Sequence, residues 1–425
     1  MSNNGKSASK ADSGAALVPK LRFPEFQETG VWDTAPGDEL FKQVSNRETP
    51  PGLPILAITQ EHGAIPRHMI DYHVSVTDRS LETYKEVRPG DFIISLRSFQ
   101  GGIEFSNYHG VCSPAYVILR KRGRLSDTFY RQHFKSHDFI QQLTRNLEGL
   151  RDGKMISYKQ FSELQLLKPT LPEQQKIADC LDSADVLIAS QARKLEALRA
   201  HKKGLMKQLF PQEGENQPRL RFREFEGTGE WIEDTLGNLF DITSGGTPER
   251  SKEEYWNGGI PWITTSLVNF NVISEATEFI SEVGLKKSSA KIFPEKTILL
   301  AMYGQGKTRG QVAMLGVKAA TNQACAAILP RKGINPNFVF LNLASRYEEL
   351  RGISNSGGQE NLSQGLIKGL AFSYPSDSVE QQRIADGLTY LDDLIVAETR
   401  KLDTLGTHKN GLMQQLFPSI EEPQS

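Results

Sequence analysis

The stretch Ala301–Thr308 (AMYGQGKT) sets Gly306, Lys307 and Thr308 where a phosphate-binding loop would have them. Such a loop needs a strand before it and a helix after it, so that backbone N–H groups and the helix N-terminus face the phosphates. Here RGQVAML follows, with the pattern of another strand, and no apolar strand ending in Asp offers a magnesium partner. The stretch is expected to be a basic, glycine-rich hairpin tip. Asn335–Phe338 (NPNF) approaches the Asn-Pro-Pro-aromatic motif that grips a flipped base in amino-methyltransferases, but no Gly-rich cofactor loop accompanies it. An Asn N-cap followed by Pro at the first helical position accounts for it without catalysis. His133 and His137 stand four apart without the Glu of a zinc-protease motif, and are expected to be ordinary surface histidines on a helix. Neither a nucleophile elbow, an acidic metal cluster nor a dinucleotide fingerprint is found. The chain reads as a binder.

Composition agrees with that reading and narrows it. A chain of 425 residues is too long for one core, and 38% hydrophobic with 24% charged residues describes a globular protein. Cys112, Cys180 and Cys325 are few and scattered, which fits neither a disulfide framework nor a zinc site and points to a reducing cytoplasm. No apolar run is long enough for a bilayer. Residues 1–18, rich in Ser, Ala, Gly and Asn, are expected to form a disordered arm. The net charge of -1 gives no global sign of a polyanion partner, although ten Lys or Arg against four Asp or Glu between Ala115 and Gln160 suggest a basic face.

The chain is a duplication. EQQKIADCLDSADVLIASQARKLEALRAHKKGLMKQLFP from Glu173 and EQQRIADGLTYLDDLIVAETRKLDTLGTHKNGLMQQLFP from Glu380 align without gaps at an offset of 207 residues. Pro19, Leu21, Arg22, Phe23 and Trp32 recur as Pro218, Leu220, Arg221, Phe222 and Trp231. Each copy is a globular domain followed by a long helix. In the first helix Ile177, Leu181, Ala184, Ile188, Leu195, Leu198, Leu205 and Leu209 follow steps of four and three, with Gln191 and Lys202 in the remaining seam positions. In the second the set is Ile384, Leu388, Leu391, Ile395, Leu402, Leu405, Leu412 and Leu416, with Glu398 and Lys409. This heptad seam predicts an intramolecular coiled coil, in which polar seam residues fix register at a cost in stability. Gly204 and Gly411 are expected to permit close backbone approach. The alternative, each helix packed on its own domain, stays open.

The domains share a plan more than residues. Strand-like FIISLRSF and AYVILRK in the first answer to TILLAMYG and CAAILPR in the second, and a helix-like segment follows each pair. The loop SGGTPERSKEEYWNGGIPWIT (Ser244–Thr264) concentrates Gly, Pro and two Trp and reads as ordered and functional. The fold class is α+β: two mixed α/β domains joined by two long helices, related as a pseudo-twofold repeat. The expected boundaries are a first domain over 19–170, a helix over 171–211 and a linker over 212–218. A second domain over 219–376, a helix over 377–418 and a tail over 419–425 follow.

With LRFPEF and LRFREF opening each half, the SGGTP loop, SGGQENLS (Ser356–Ser363), EQQKIA and EQQRIA, and the two LFP endings, the chain resembles the specificity subunit of type I restriction–modification enzymes. The first domain matches mainly by position: LEGLRDGKMIS stands where SGGQENLS is expected, and the SGGTP loop has no counterpart there. The resemblance implies target-recognition domains that each read one half of a bipartite site in double-stranded DNA, with the antiparallel pair of long helices, an intramolecular coiled coil, as spacer. It also implies two methyltransferase subunits that bind S-adenosylmethionine, and restriction subunits that carry the ATP- and magnesium-dependent translocase and nuclease. This chain would hold no cofactor, no membrane contact and no catalytic residue. Candidate DNA contacts are Arg97, Ser98 and Gln100 in SLRSFQGG, and Tyr303, Gln305, Lys307 and Arg309 in MYGQGKTRG. Lys154 with Tyr158, and Gln359 with Asn361, flank the Gly-rich entry to the last strand of each domain. Arg and Lys can read guanine or grip phosphate, while Gln can bond adenine. A scaffold whose domains bind proteins is the second reading.

Overall fold

Each half of the chain is clasped by its own first and last strands. Asp33–Pro36 pairs antiparallel with Gln165–Lys168, and Ile232–Thr235 pairs likewise with Ala371–Tyr374. These features come from a computed structural model that describes residues 17–48, 50–70, 82–145, 156–212, 214–304, 307–353 and 361–420. Most of the expected arm, and Lys154, Gln305 and Gln359, lie outside the described residues. The chain divides into two compact units, Met1–Ala192 with Lys401–Ser425, and Arg193–Arg400.

The first unit holds a four-stranded antiparallel sheet of β1 (Phe41–Val44), β2 (Phe92–Ile94), β3 (Glu104–Phe105) and β4 (Val117–Lys121), in the order β1-β4-β2-β3. The second holds β5 (Ile242–Ser244), β6 (Val272–Ile273), β7 (Ile298–Ala301), β8 (Val312–Leu315) and β9 (Cys325–Ile328), in the order β5-β9-β7-β8-β6. The first four positions correspond, and β6 is an added edge strand parallel to β8. Both central strands are buried on two faces, which explains their uninterrupted apolar runs. Phe92 and Ile94 enter one hydrophobic cluster while Ile93 enters another. Ile298 and Leu300 likewise part from Leu299 and Ala301.

The helix-like segments after the sheets each break in two. The first becomes Asp127–His133 and His137–Arg145, the second Pro336–Ser345 and Tyr347–Gly352. Asn335 caps the latter pair, its side chain accepting from the N–H groups of Asn337 and Phe338, with Pro336 at the first helical position. That break corrects the histidine reading. His133 is buried among Phe129, Tyr130, Phe134, Phe139 and Phe417, while His137 opens the next helix in the open. Burial in this aromatic nest drives the His133 imidazole down to about 3, so it stays neutral at physiological pH. Cys112 and Cys325 are buried free thiols pushed up to about 12, and Cys180 is also free.

The long helices α1 (Leu171–Leu209) and α2 (Ser378–Leu416) span 39 residues each, roughly 58 Å. Every expected seam position is buried or half-buried, whereas Val186, Leu187, Tyr390 and Val396 outside the seam are exposed. The two helices pack together, and within each unit they run antiparallel. In the first unit the Lys409 ammonium lies 2.6 Å from the Asp185 carboxylate, while Ile177 and Leu181 share a cluster with Met413 and Leu416. In the second, Lys202 pairs with Asp392 at 2.5 Å, Lys194 with Glu398, and Leu209 shares a cluster with Ile384 and Leu388. The charged seam residues Lys202, Glu398 and Lys409 therefore meet opposite charges across the pair rather than remaining buried alone.

The start of each long helix is fixed by one repeated lock. The Arg22 guanidinium donates to both oxygens of Glu173, at 2.7 and 2.9 Å, and also to the Gly30 carbonyl and the Thr29 hydroxyl. Arg221 repeats this on Glu380 at 2.6 and 2.7 Å, on Gly229 and on Thr228. Glu173 and Glu380 are 1% and 0% exposed, and their hydrogen bonds hold the guanidinium groups above the ordinary arginine value. The next residue joins helix to domain. Gln174 accepts from the Ser126 N–H and donates to the Pro169 carbonyl, as Gln381 does with Asn335 and Pro375. The LFP endings complete each core from the other helix: Phe417 packs 5.4 Å from Phe129, and Phe210 5.4 Å from Phe338.

Gly204 and Gly411 do not serve close approach. A side chain at either would meet nothing within 4 Å. Replacing each with Ala is expected to stabilise the protein by about 0.5–1 kcal/mol through helix propensity alone, read from denaturant midpoints. Glu380→Ala strands Arg221 and is expected to cost about 3–5 kcal/mol, while Arg221→Met with Glu380→Leu recovers much of that loss in the same measurement.

Candidate nucleic-acid interface

The hairpin that leaves each central strand carries most of the expected contact residues. In the first unit the chain leaves β2 through Ser95 and exposed Leu96 and Arg97 into a single helical turn, Ser98–Gly101. Arg97 and Gln100 lie on the surface. Ser98 does not: it is buried, and its hydroxyl accepts from the Ser95 N–H at 2.9 Å, so it shapes the turn from within. Gly102, at φ +78°, follows because the Phe134 carbonyl would lie 2.0 Å from a side-chain carbon there. The Gln60 amide donates to the Arg97 carbonyl. Beside this turn opens a groove of about 750 Å³ whose lining includes Gln60, Arg67, Leu96, Arg97 and Tyr116. Tyr158 is not part of it. Its ring packs on the domain core and its hydroxyl donates to the Phe41 carbonyl at 3.1 Å, a structural use.

In the second unit β7 turns back into β8 as an antiparallel hairpin, and no helix follows the Gly-Lys-Thr stretch. The described residues of the phosphate-loop pattern thus lie between two antiparallel strands rather than before a helix, as the sequence context required. Tyr303 is 39% exposed and Lys307 lies on the surface. Arg309 is half-buried and donates to the Arg351 carbonyl at 2.9 Å, while the Tyr347 hydroxyl donates to the Lys307 carbonyl. A hydrogen bond from Leu362 to Met302 brings half-buried Asn361 next to Tyr303 in the same edge. Tyr303, Lys307, Arg309 and Asn361 therefore gather at one end of the second sheet.

Four of the ten cations in the basic run of the first domain are used in ion pairs. Arg120 is paired with Asp91, Lys121 with Asp127, Arg131 with Asp182 and Lys135 with Glu104. The expected basic face loses those four cations to ion pairs that tie helices and strands together.

Sequence reasoning recognised the SGGTP loop as ordered without seeing why. A side-chain carbon on Gly245 would lie 1.9 Å from the Thr321 carbonyl oxygen, and one on Gly246 2.3 Å from the Ser289 hydroxyl. The Trp262 indole donates to the Gly246 carbonyl at 3.0 Å. Arg250 lies over Trp256 and Trp262 at 4.0 and 4.9 Å and pairs with Glu278. A stacked guanidinium thus welds the loop to its strand. Asn269, Phe270 and Gln311, at the same end of the sheet as Lys307, were missed entirely. Nothing in the short NFN segment, or in the strand-like run around Gln311, marks them.

Among the described residues no cluster of His, Cys, Asp and Glu could hold a metal, and no helix is long and apolar enough to cross a membrane. Residues 228–406 match a family described as the type I restriction modification DNA specificity domain. The MjaIX type I specificity subunit of Methanocaldococcus jannaschii is 32% identical over 197 residues, 45% of this chain and 45% of that protein. The EcoR124I/EcoR124II specificity subunit of Escherichia coli is 29% identical over 182 residues, 42% of this chain and 44% of that one. The chain thus spans about half the length of these curated relatives. Two solved structures share the fold. A chain from a structure of type I R-M complex assembly has a TM-score of 0.60 at 14% identity, covering 92% of this chain and 98% of that one. The chain described as a type I restriction-modification system S subunit from M. genitalium has a TM-score of 0.54 at 17% identity, covering 95% of this chain and 100% of that one. Residues 228–406 are thus similar to a type I restriction modification DNA specificity domain, and the chain is similar over about half its length to specificity subunits of type I restriction enzymes.

Proposed function

We propose that this chain is the DNA-specificity subunit of a type I restriction–modification complex, in which each unit reads one half of a bipartite target. One observation carries the proposal: the frame is duplicated and the tips are not. The Arg–Glu lock, the clasping strand pair and the four-strand order recur in both units. The loops at the ends of the central strands differ in length, charge and residues. A duplicated frame with divergent edges suits two readers of different half-sites. The paired helices act as a coiled-coil spacer, setting the number of base pairs between the halves, and their exposed faces receive two methyltransferase subunits. Those partners bind S-adenosylmethionine and transfer the methyl group, and restriction subunits supply ATP-driven translocation and cleavage with magnesium. The chain contributes recognition alone, without a cofactor of its own.

Arg97 and Gln100 in the first unit, and Tyr303, Lys307, Arg309 and Asn361 in the second, are the contact residues this function would use. Lys154, Gln305 and Gln359 remain candidates from sequence. Arg and Lys supply phosphate or guanine contacts and the amides supply adenine contacts.

Methylation-aware sequencing of DNA from cells with and without the gene tests the function. A two-part adenine-methylated motif that vanishes with the gene is the expected result, and an unchanged methylome would refute it. Within the assembled methyltransferase, Arg309→Ala is expected to weaken binding to that motif on the order of tenfold at moderate salt. Unchanged affinity removes Arg309 from the reading edge.

A further inference from the structure

Phe270 stands in a backbone conformation that bulky residues avoid. Its φ is +53°, in the left-handed region, where a branched or aromatic side chain is a genuine outlier. The conformation is held from both sides: the Phe270 N–H donates to the Val312 carbonyl at 2.8 Å, and the Asn269 N–H to the Asn271 side chain at 3.0 Å. Burial does not repay it, because the ring is 38% exposed and meets Tyr347 only edge-on, with centroids 5.1 Å apart. Strain kept at a surface aromatic residue marks a position where the ring is displayed for use.

The residues on either side of this ring complete the picture. Asn269 precedes β6 and Gln311 precedes β8, the two neighbouring strands at this edge. The Gln311 side-chain amide donates to the Asn269 side-chain oxygen at 3.1 Å. Joined in this way at an exposed edge, the two amides leave one carbonyl oxygen and one NH₂ group, with the second hydrogen of the bonded NH₂, for outside partners. Exchanging oxygen and nitrogen in both residues leaves the same outward set, so the chemistry is independent of how the amides are assigned. An adjacent acceptor and donor match the major-groove edge of adenine, whose N6–H donates and whose N7 accepts. Guanine presents two acceptors at the corresponding positions and would leave the free amide oxygen facing an acceptor without a donor, so adenine is the better match. An exposed phenyl ring beside the pair suits the methyl group of thymine.

We propose that Asn269, Gln311 and Phe270 form a reader for one A·T base pair, with the joined amides on adenine and the ring on thymine. The assignment rests on the DNA-specificity reading above and deepens it for the second domain. Tyr347 links the reader to the basic tip, since the same residue meets Phe270 through its ring and donates its hydroxyl to the Lys307 carbonyl.

The test uses the full chain co-purified with its modification subunits, on duplexes carrying the motif found by sequencing. Replacing each adenine in turn with 7-deaza-2′-deoxyadenosine removes the N7 acceptor. At one position in one half-site this should weaken wild-type binding on the order of tenfold. The double variant Asn269→Ala, Gln311→Ala should lose a similar factor on unmodified DNA and show no further loss on the modified duplex. Phe270→Gly should raise the melting temperature by relieving strain while relaxing the same half-site. Tolerance of 7-deaza-adenine at every position overturns the amide assignment, as does a double variant that keeps the wild-type motif and affinity. A lower melting temperature with unchanged specificity in Phe270→Gly overturns the role of the ring. Absence of any bipartite motif for the wild type overturns the DNA-specificity reading, and this assignment with it.

Discussion

The buried pair between an arginine near the start of each domain and a glutamate at the start of each long helix governs the arrangement. A carboxylate with almost no exposure is costly unless fully hydrogen-bonded, and Glu173 and Glu380 meet that requirement through a bidentate guanidinium. The same guanidinium also binds a backbone carbonyl and a threonine hydroxyl in the turn after LRF. One cation therefore fixes the turn, the domain's first strand and the helix start together. The neighbouring glutamine extends the lock to the N-cap of the first helix after the sheet, through Ser126 in one unit and Asn335 in the other. Loss of either charge leaves its partner buried without compensation, which confines the helix to one direction of departure.

From that fixed departure, the pairing of the helices follows from where their polar seam residues find partners. Lys409 reaches Asp185 in one unit, and Lys202 reaches Asp392 in the other. Each contact joins the late part of one helix to the early part of its partner, so a parallel arrangement or a shifted register would bury unpaired lysines. The apolar seam supplies association without direction, and the charges supply direction. Asp182 and Asp185 also accept from Arg131 and Gln132, so the first domain's helix is held by the same acidic patch that orients α2.

The frame was far more legible than the working edge. Heptad spacing survives in sequence because burial demands it at each step, and every seam position is in fact buried or half-buried. The duplication was legible because both helices and both lock residues recur at fixed offsets. The meaning of EQQ and LRF as one hydrogen-bonded device was not, because Arg22 and Glu173 lie 151 residues apart and no periodicity joins them. Ser98 and Tyr158 show the opposite failure. Polar residues near a loop looked available for contact, yet one hydroxyl closes its own turn and the other holds a strand carbonyl. Basic composition misled for a similar reason, since a count of Lys and Arg cannot see that Asp91, Asp182 and Glu104 come from elsewhere in the fold. Phe270 was invisible because its signal is a dihedral angle.

That contrast follows from how the chain divides its physical tasks. Stability resides in contacts made by residues the two copies share: the lock, the LFP phenylalanines and the apolar seam. The tips add little to either core. Lys307 contributes its carbonyl to Tyr347, and Arg97 contributes its carbonyl to Gln60. Backbone groups anchor the loops, so side chains at these positions can change while the anchoring persists. A fold organised in this way can vary what it reads without refolding, provided the loop keeps its backbone bonds. Gly245 and Gly246 mark the limit of that freedom, because the approach of Thr321 and Ser289 leaves no room for any side chain there. At the hairpin tips, therefore, variation is tolerated at the outward residues, while the two domains also differ in the added strand β6 and in the SGGTP loop.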